Sequence, residues 1–253
     1  MLQTWRVTIP ELTGGEERRA YLYLPDSYDR EPDRRYPVLY MFDGHNVFYD
    51  SDATYGKSWG LGEYLDAVEA PLIVVAVECN HHPDNGRLSE YSPFTFYEPD
   101  LGQVEGRGQI TMEWFTRVLK PEMDRNLRTL PGRRHTFIAG SSMGGLMALY
   151  ALLEYNQVFS RAAALSPSLW VAPERVARMV RGCDVAAGTV LYMDYGSREM
   201  ENHQLMAGQF SRLTAQLLDR VFLTCRIVPD GEHCEASWER QVPFFIETLL
   251  YDL

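Results

Sequence analysis

Short apolar runs alternate along the chain with segments in which apolar residues recur every three or four positions. The runs predict strands that are buried on both faces, because parallel strands covered by helices are apolar throughout. The recurring spacing predicts amphipathic helices between them. This alternation predicts an α/β fold with a mostly parallel central sheet and helices on both of its faces. The predicted strands of this sheet lie at residues 38–42, 72–77, 136–139, 159–165, 189–194 and 222–228.

The beginning of the chain departs from this pattern. Residues 4–9 and 18–24 are predicted as two strands separated by Thr13-Gly14-Gly15, a turn in which glycine permits a positive φ. We expect the two strands to form an antiparallel edge of the sheet. Helices are predicted at residues 58–69, 110–127, 146–153, 205–217 and 238–249, with Pro121 either kinking the second of these or beginning a new helix.

Residues 79–108 show neither pattern. Prolines interrupt this segment, and its aromatic residues argue against disorder. A segment of this length without secondary structure is uncommon unless it is functional. We therefore predict a loop that covers a functional site, with a structural collar packed on the core as the alternative. Its run His81-His82-Pro83-Asp84 contains metal-ligating residue types, but neighbouring histidines point in different directions in most backbones, so no metal site is predicted there.

The stretch around Ser142 combines a strand, a glycine-flanked serine and a helix. Gly140, Ser142 and Gly144 match the pattern G-x-S-x-G, in which glycines let backbone segments approach closely on both sides of the serine. Ser141 does not compete, because its register would need a glycine at Ala139. A glycine-rich turn without chemistry would explain the bare pattern, but the order of strand, turn and helix favours a nucleophile elbow. We therefore predict that Ser142 is a nucleophile.

Further polar residues follow predicted strands, and the carboxyl ends of parallel strands meet at one edge of a sheet. His233 follows the last strand and is predicted as the general base for Ser142. A carboxylate is needed to orient the imidazole, and the chain order serine, acid, histidine restricts it to residues between 142 and 233. Glu199 lies a short turn past its strand and is the preferred acid. Asp194 is the alternative, because it is predicted to belong still to the strand.

Two backbone N–H groups are predicted to stabilise the oxyanion of a tetrahedral intermediate. The Met143 N–H lies in the first turn of the helix after Ser142, where unpaired amides and the positive dipole end favour an anion. A second donor is expected from the loop after an early central strand. Asp43-Gly44-His45 follows such a strand, Gly44 permits a sharp turn, and the His45 N–H is the predicted donor.

Composition narrows the remaining possibilities. With 253 residues and 45% hydrophobic content the chain can bury a sizeable core, and we predict a single domain over residues 1–253. A net charge of -11 argues against nucleic acid and anionic membranes as partners. The chain shows no signal-peptide pattern and no apolar run of membrane-spanning length, so a cytoplasmic location is predicted. The four cysteines lack CxxC spacing, which favours reduced thiols over disulfides or a zinc site.

At this point the residues resemble the putative esterase family of α/β-hydrolases, which includes esterase D, enterochelin-type siderophore esterases, acetylxylan and feruloyl esterases, and the mycolyltransferases. The resemblance covers most of the chain. It rests on residues 39–48, 87–93, 140–145 and 165–170, and on Gly231-Glu232-His233 ahead of Trp238. It implies an α/β-hydrolase fold, Ser142 as nucleophile, His233 as base, a carboxylate at the Glu199 position, and oxyanion amides from His45 and Met143.

The residues and the resemblance together predict a serine carboxylic-ester hydrolase that works through an acyl-enzyme, without a metal or an organic cofactor. The expected substrate is a small-molecule ester with an acetyl-type acyl group on a sugar or another alcohol, because no large inserted cap domain is visible. Hydrolysis of a siderophore lactone or a thioester, and acyl transfer to an alcohol, are the alternatives within the enzyme class. A catalytically silent hydrolase fold used for binding is the alternative of another class. No nucleic-acid or membrane partner is expected, and a homo-oligomer is left open.

Overall fold

The central sheet contains most of the strands. The computed structural model describes residues 1–199 and 203–253, without the side chains of His203 and Gln204. In these residues the strands are β1 (Leu2–Thr8), β2 (Glu17–Tyr23), β3 (Val38–Met41), β4 (Ile73–Val77), β5 (Phe96–Glu98), β6 (Gly102–Val104), β7 (Thr136–Ser141), β8 (Arg161–Leu165), β9 (Val190–Gly196) and β10 (Phe222–Val228). Eight of them form one sheet in the order β1-β2-β4-β3-β7-β8-β9-β10, and β5 and β6 form a separate hairpin.

Most neighbours in this sheet are parallel. β3 pairs in parallel with both β4 and β7, and parallel pairing continues through β8 and β9 to β10. β2 is antiparallel to β4, and β1 is antiparallel to β2. The predicted mostly parallel sheet with an antiparallel N-terminal edge is therefore confirmed.

Helices form most of the connections between the strands. Their bounds are α1 (Pro10–Thr13), α2 (Ser27–Arg30), α3 (Leu61–Ala67), α4 (Gly86–Glu90), α5 (Gly108–Trp114), α6 (Lys120–Asn126), α7 (Met143–Glu154), α8 (Pro173–Gly182), α9 (His203–Leu217), α10 (Glu235–Glu239) and α11 (Val242–Leu250). Short 3₁₀ turns occur at Gly44–Asn46 and Arg133–His135. Within the described parts of the chain, no helix combines the length and the apolar content needed to cross a membrane.

The two faces of the sheet pack against different helices, which explains why the strands are apolar throughout. Along β3, Val38 and Tyr40 belong to the core beneath α5 and α7, whereas Leu39 and Met41 belong to the core beneath α3 and α11. All four side chains are buried. This alternation is what a strand covered on both faces requires, and it confirms the helices predicted on both sides.

Several helix boundaries differ from those predicted. α3 begins at Leu61 and not near residue 58, because Gly60 has a left-handed φ of 57° directly before it. The helix predicted at 110–127 is α5 and α6 joined by a π-helical segment at Phe115–Leu119, and Pro121 lies in the first turn of α6. Proline fits there because the first turn of a helix leaves its N–H groups unpaired.

Two further helical regions also need correction. The helix predicted at 238–249 is two helices, α10 and α11, that are separated at residues 240–241. α8 was not predicted, although Pro173 opens it and Val176, Met179 and Val180 are buried at helical spacing. α8 has arginines on its outer face and far fewer apolar residues than α7, so no apolar run marks it in the sequence.

The segment 79–108 is less irregular than its sequence suggests. It contains α4 at Gly86–Glu90 and the β5–β6 hairpin, in which Gly102 takes a φ of 75° at the turn. These elements were not predicted, because prolines interrupt the segment and each element is only three to five residues long. The segment before α4 borders the site described next.

Candidate active site

Ser142 stands at the sharp turn between β7 and α7. β7 ends at Ser141 and α7 begins at Met143, so Ser142 alone forms the junction. Its φ of 57° and ψ of -120° lie in a region that a non-glycine residue rarely adopts. Such a conformation costs on the order of 1–3 kcal/mol and persists only where the surrounding structure imposes it. The predicted strand, elbow and helix are therefore present, with the serine in a strained backbone conformation.

The glycines around Ser142 lie in close contact with neighbouring backbone and side-chain atoms. A Cβ on Gly140 would lie 2.7 Å from the carbonyl carbon of Gly144. A Cβ on Gly144 would lie 3.1 Å from Cβ of Phe42 and 3.2 Å from a carboxylate oxygen of Asp43. The small residues thus let the elbow pack directly against the loop that follows β3.

The hydroxyl of Ser142 lies within hydrogen-bond distance of His233. Its Oγ atom is 2.9 Å from Nε2 of His233, and the other ring nitrogen, Nδ1, is 2.9 Å from Oε2 of Glu199. Ser168 Oγ lies 3.4 Å from the same hydroxyl. His233 follows β10 and Glu199 follows β9, so the structure brings together the serine, the histidine and the preferred acid from three strand ends.

Glu199 is fixed from the side opposite to His233. Its Oε1 atom accepts a hydrogen bond of 2.7 Å from the Gly196 N–H and another from the Ser166 hydroxyl. Ser166 in turn accepts a 2.9 Å hydrogen bond from Nε1 of Trp238. The Glu199 side chain is only 2% exposed. A buried carboxylate with donors on both oxygens has little freedom to turn away from the imidazole.

Asp194, the alternative acid, has different partners. Its carboxylate accepts hydrogen bonds from the Ser166 N–H at 3.0 Å and from the Tyr192 hydroxyl at 2.9 Å. Among its described contacts there is no hydrogen bond or ion pair with His233. Burial raises the pKa of Asp194 to about 7. Asp194 therefore supports the turn that carries Ser166. Its described hydrogen bonds connect it to His233 indirectly, through Ser166 and Glu199.

The loop after β3 carries the predicted second oxyanion donor. Asp43 has a left-handed φ of 55° and leads into the 3₁₀ turn Gly44–Asn46. A Cβ on Gly44 would lie 2.9 Å from backbone atoms of both Ala76 and Val77, so only glycine fits against β4. In the described structure neither the His45 N–H nor the Met143 N–H donates a backbone hydrogen bond. Both amides therefore meet one condition for the predicted oxyanion donors.

An ion pair between the buried Asp43 and the partly exposed Arg87 holds the same loop in place. Arg87 donates two hydrogen bonds of 2.7 Å to the carboxylate of Asp43, one to each oxygen. The Tyr91 hydroxyl accepts a hydrogen bond from the Asp43 N–H at 3.2 Å. Burial alone would raise the pKa of Asp43, but the charge and the hydrogen bonds of Arg87 lower it below its usual value. The paired carboxylate thus ties α4 to the loop after β3.

A cavity of ≈ 380 Å³ opens beside the serine. Ser142 and His233 lie in its wall together with residues of the loop after β3 and of the segment 79–88. The β5–β6 hairpin is not part of this wall, and Phe96 packs instead against Trp170 with ring centroids 5.6 Å apart. Only the first third of the segment 79–108 therefore borders the cavity.

Sequence reasoning did not assign several residues of this site. Ser166 connects Asp194, Glu199 and Trp238, and Arg87 neutralises Asp43. Both residues lie in stretches on which the family resemblance rests, so their presence was a signal without a stated role. Their partners lie far away in the chain, which is why spacing alone did not reveal them.

Comparison with known proteins gives a consistent result. The family model described as "Putative esterase" matches residues 12–245. The chain is 25% identical over 203 residues to the "Uncharacterized protein YbbA" of Bacillus subtilis (strain 168), which covers 79% of this chain and 76% of YbbA. It is 25% identical over 170 residues to the "Ferri-bacillibactin esterase BesA" of the same organism, which covers 62% of this chain but only 57% of BesA.

Among solved structures, the fold is similar to that of the BES protein from Bacillus cereus. The TM-score is 0.77 at 19% sequence identity, and the match covers 99% of this chain and 95% of the other. At this identity the likeness shows a shared fold.

Proposed function

The chain belongs to the Putative esterase family and is a carboxylic-ester hydrolase, and we propose that it cleaves esters through an acyl-enzyme formed on Ser142. In this proposal His233 is the general base and acid, and Glu199 orients it. The backbone N–H groups of His45 and Met143 bind the oxyanion. The observation that carries the proposal is the continuous pair of 2.9 Å distances from Ser142 Oγ to His233 Nε2 and from His233 Nδ1 to Glu199 Oε2.

Acylation begins when Ser142 Oγ attacks the carbonyl carbon of the ester. His233 Nε2 accepts the hydroxyl proton as the new C–O bond forms, and Glu199 stabilises the resulting imidazolium through Nδ1. The tetrahedral intermediate then breaks its bond to the alcohol oxygen, which receives the proton from His233 and leaves. The acyl group remains bound to Ser142.

Deacylation repeats these steps with water in place of the serine hydroxyl. His233 accepts a proton from water as its oxygen attacks the acyl carbon, and it returns a proton to Ser142 Oγ when the carboxylic acid leaves. The enzyme is thereby restored without net gain or loss of protons on the protein. An alcohol that replaces water at this step would give acyl transfer instead of hydrolysis.

The negative oxygen formed in both intermediates needs hydrogen-bond donors. Each suitably placed donor is worth roughly 3–4 kcal/mol in the transition state. His45 acts here through its backbone, so replacing its side chain should reduce the rate less than inserting a residue into the loop Asp43–His45. Met143 N–H benefits in addition from the positive end of α7, which is twelve residues long.

We expect the substrate to be a small polar ester. The cavity that contains Ser142 is lined largely by imidazole, amide and hydroxyl side chains, among them His45, Asn46, Thr54 and Asn80. Such a wall suits an acetyl-type ester of a sugar or another alcohol better than a long acyl chain, which would need apolar surface. The cyclic ester of a siderophore is the second candidate, and the relative named Ferri-bacillibactin esterase favours it.

Hydrolysis of p-nitrophenyl acetate tests the proposed nucleophile. Ser142→Ala should lower kcat by roughly 10⁴–10⁶-fold, because the nucleophile and its base act as a unit. The matched control is Ser141→Ala, which removes the neighbouring buried hydroxyl and should stay within about tenfold of the parent protein. Mass spectrometry of rapidly quenched protein should find the acetyl group on Ser142. Unchanged turnover in Ser142→Ala would refute the mechanism.

The substrate class is tested by comparing kcat/KM across acetylated sugars, aryl esters, thioesters and siderophore lactones. Preference for the acetylated sugars supports the small-ester proposal, and preference for the lactones would replace it with the siderophore candidate. Hydrolysis of none of these compounds, with binding of one of them, would identify a binding protein.

A further inference from the structure

Three metal-ligating side chains meet at the wall of the catalytic cavity. One donor atom from each of His45, Cys79 and His81 lies within 4.8 Å of the other two. Sγ of Cys79 is 3.9 Å from Nδ1 of His81, and the rings of His45 and His81 meet edge to face with their centroids 4.8 Å apart. All three residues line the cavity that contains Ser142. The chemical steps of the proposed ester hydrolysis use none of these side chains, although they border the space that the substrate would occupy.

His45 carries a buried nitrogen without a partner. Its Nε2 atom lies 3.1 Å from the Thr54 hydroxyl, whereas Nδ1 is buried and has no hydrogen-bond partner among the described residues. The His45 residue is only 5% exposed. A buried polar atom without a partner costs roughly 1–3 kcal/mol. Metal-bound histidines in proteins have this arrangement, in which one nitrogen is fixed by a hydroxyl, carbonyl or carboxylate and the other binds the ion.

We propose that His45, Cys79 and His81 form a binding site for a thiophilic divalent cation such as Zn²⁺. One thiolate and two imidazoles are ligands that zinc prefers, and three protein ligands leave one position for water or a substrate oxygen. In a tetrahedral zinc site the sulfur and nitrogen ligands lie roughly 3.6 Å apart, as bond lengths of about 2.3 and 2.0 Å require. The 3.9 Å distance between Cys79 and His81 therefore needs a small adjustment, and His81 is exposed enough to move.

Burial raises the pKa of the Cys79 thiol, so a cation that binds here must displace the thiol proton. When the cation binds, the Cys79 thiol loses its proton to solvent, and both imidazoles bind as neutral rings. The negative charge of Asp43, which lies beside the thiol, is already neutralised by the two 2.7 Å hydrogen bonds from Arg87. The incoming cation thus meets one new thiolate and no uncompensated positive charge.

Occupancy of this site has a consequence for catalysis that rests on the proposed function. A cation held by His45 and His81 would link the oxyanion loop to the segment after β4 inside the cavity used by the ester. We therefore expect Zn²⁺ to inhibit ester hydrolysis and a chelator to restore it. Metal binding itself does not depend on this consequence.

Competition with a chromogenic chelator measures Zn²⁺ affinity, and absorption of the Co²⁺-substituted protein reports a thiolate ligand. The parent protein should bind one ion and give a thiolate-to-cobalt charge-transfer band. Cys79→Ser should abolish the band and weaken binding by more than about 100-fold. Loss of a hydrogen-bond partner of a metal ligand alone costs roughly 10–100-fold in affinity. Thr54→Val removes such a partner and should fall in that lower range. His81→Ala should also weaken Zn²⁺ binding. Because the His81 side chain is exposed, misfolding would not explain this loss of affinity.

Two control variants keep metal-ligating residue types but lie outside the cluster. Cys225→Ser removes an exposed thiol, and His82→Ala removes an exposed imidazole that lies 3.5 Å from Asp84. Both should bind Zn²⁺ like the parent protein. Binding that survives Cys79→Ser, or that is lost in Cys225→Ser, would overturn the site.

Ser142→Ala separates this inference from the proposed function. It should bind Zn²⁺ with the affinity of the parent protein although it has lost ester turnover. If the parent protein binds one ion but hydrolyses no ester, the proposed function fails and the metal site stands. If it hydrolyses esters and binds no ion at the cluster, the metal site fails and the proposed function stands.

Discussion

On one side of Ser142, His233 and Glu199 follow the parallel strands β10 and β9. Each side-chain nitrogen and oxygen of these two residues has a hydrogen-bond partner. On the other side, His45 and His81 lie on loops that line the cavity, and the buried Nδ1 of His45 has no partner. The first side is organised by the sheet and by hydrogen bonds. The second is organised by contacts between loops, among them the ion pair between Asp43 and Arg87.

This difference separates two tasks that an ester hydrolase must perform. Proton transfer requires distances held to within a few tenths of an ångström, and groups on strand ends with every polar atom paired can hold them before substrate arrives. Substrate recognition, in contrast, relies on side chains whose free donors and acceptors can form hydrogen bonds with the substrate. We therefore expect substitutions beside the triad to change kcat, and substitutions along 79–88 to change the choice of substrate.

The largest expected effect concerns the acid. Glu199→Gln should reduce kcat by roughly 10³–10⁴-fold, because an amide cannot stabilise the imidazolium and favours the wrong tautomer of His233. Asp194→Asn should reduce it by less than about tenfold, since Asp194 acts only through the turn that carries Ser166. Steady-state kinetics with p-nitrophenyl acetate measure both.

The reverse order of these two effects would assign the catalytic acid to Asp194. Thermal unfolding of both variants serves as the control for folding. An equal loss in both would mean that Ser166 couples the two carboxylates so tightly that the acid cannot be assigned to one of them.

The next effect concerns the loop on the cavity side. Gly44→Ala would place a Cβ 2.9 Å from backbone atoms of β4 and should push the His45 N–H away from the oxyanion. Loss of one oxyanion donor lowers kcat by roughly 10²–10³-fold. Gly132→Ala is the matched control, because nothing lies within 4 Å of the added Cβ. If both variants keep the parent kcat, the loop does not supply an oxyanion donor.

A smaller effect is expected on stability when the ion pair of the cavity side is broken. Arg87→Met leaves the buried Asp43 carboxylate without its partner, which should lower the free energy of unfolding by about 3 kcal/mol. Arg34→Met removes an exposed partner of Glu31 and should cost less than about 1 kcal/mol. Urea denaturation of the two variants measures the difference. Equal stabilities would mean that Asp43 is held by its other contacts.

The sequence predicted the arrangement of Ser142, His233 and Glu199 far better than the cavity side. The strand-elbow-helix order around Ser142 and the position of His233 after the last strand depend on local patterns, and local patterns are visible in a single chain. The preference for Glu199 over Asp194 followed from its place just beyond the strand, where the structure indeed has it beside His233.

The rest depends on contacts between distant segments. The pairing of Asp43 with Arg87 and the meeting of His45 with Cys79 and His81 arise only when β3 and β4 lie side by side. The two neighbouring histidines diverge, as expected from the sequence, because His81 lies near Cys79 while His82 lies near Asp84. The sequence did not show that His81 would lie beside His45 and Cys79.

The smallest expected effect is the pH dependence of stability that Asp194 causes. Burial raises the pKa of Asp194 to about 7, from an ordinary value of 3.8. Between these values the folded protein retains a proton that the unfolded chain has lost, so the stability contributed by Asp194 falls as pH rises. Asp194→Asn removes this titration. The difference in unfolding free energy between the parent protein and Asp194→Asn should therefore change by about 1.4 kcal/mol per pH unit between roughly pH 5 and pH 6, to the disadvantage of the parent. Urea denaturation across this range measures the slope, and a difference independent of pH would show that Asp194 is already ionised in the folded protein.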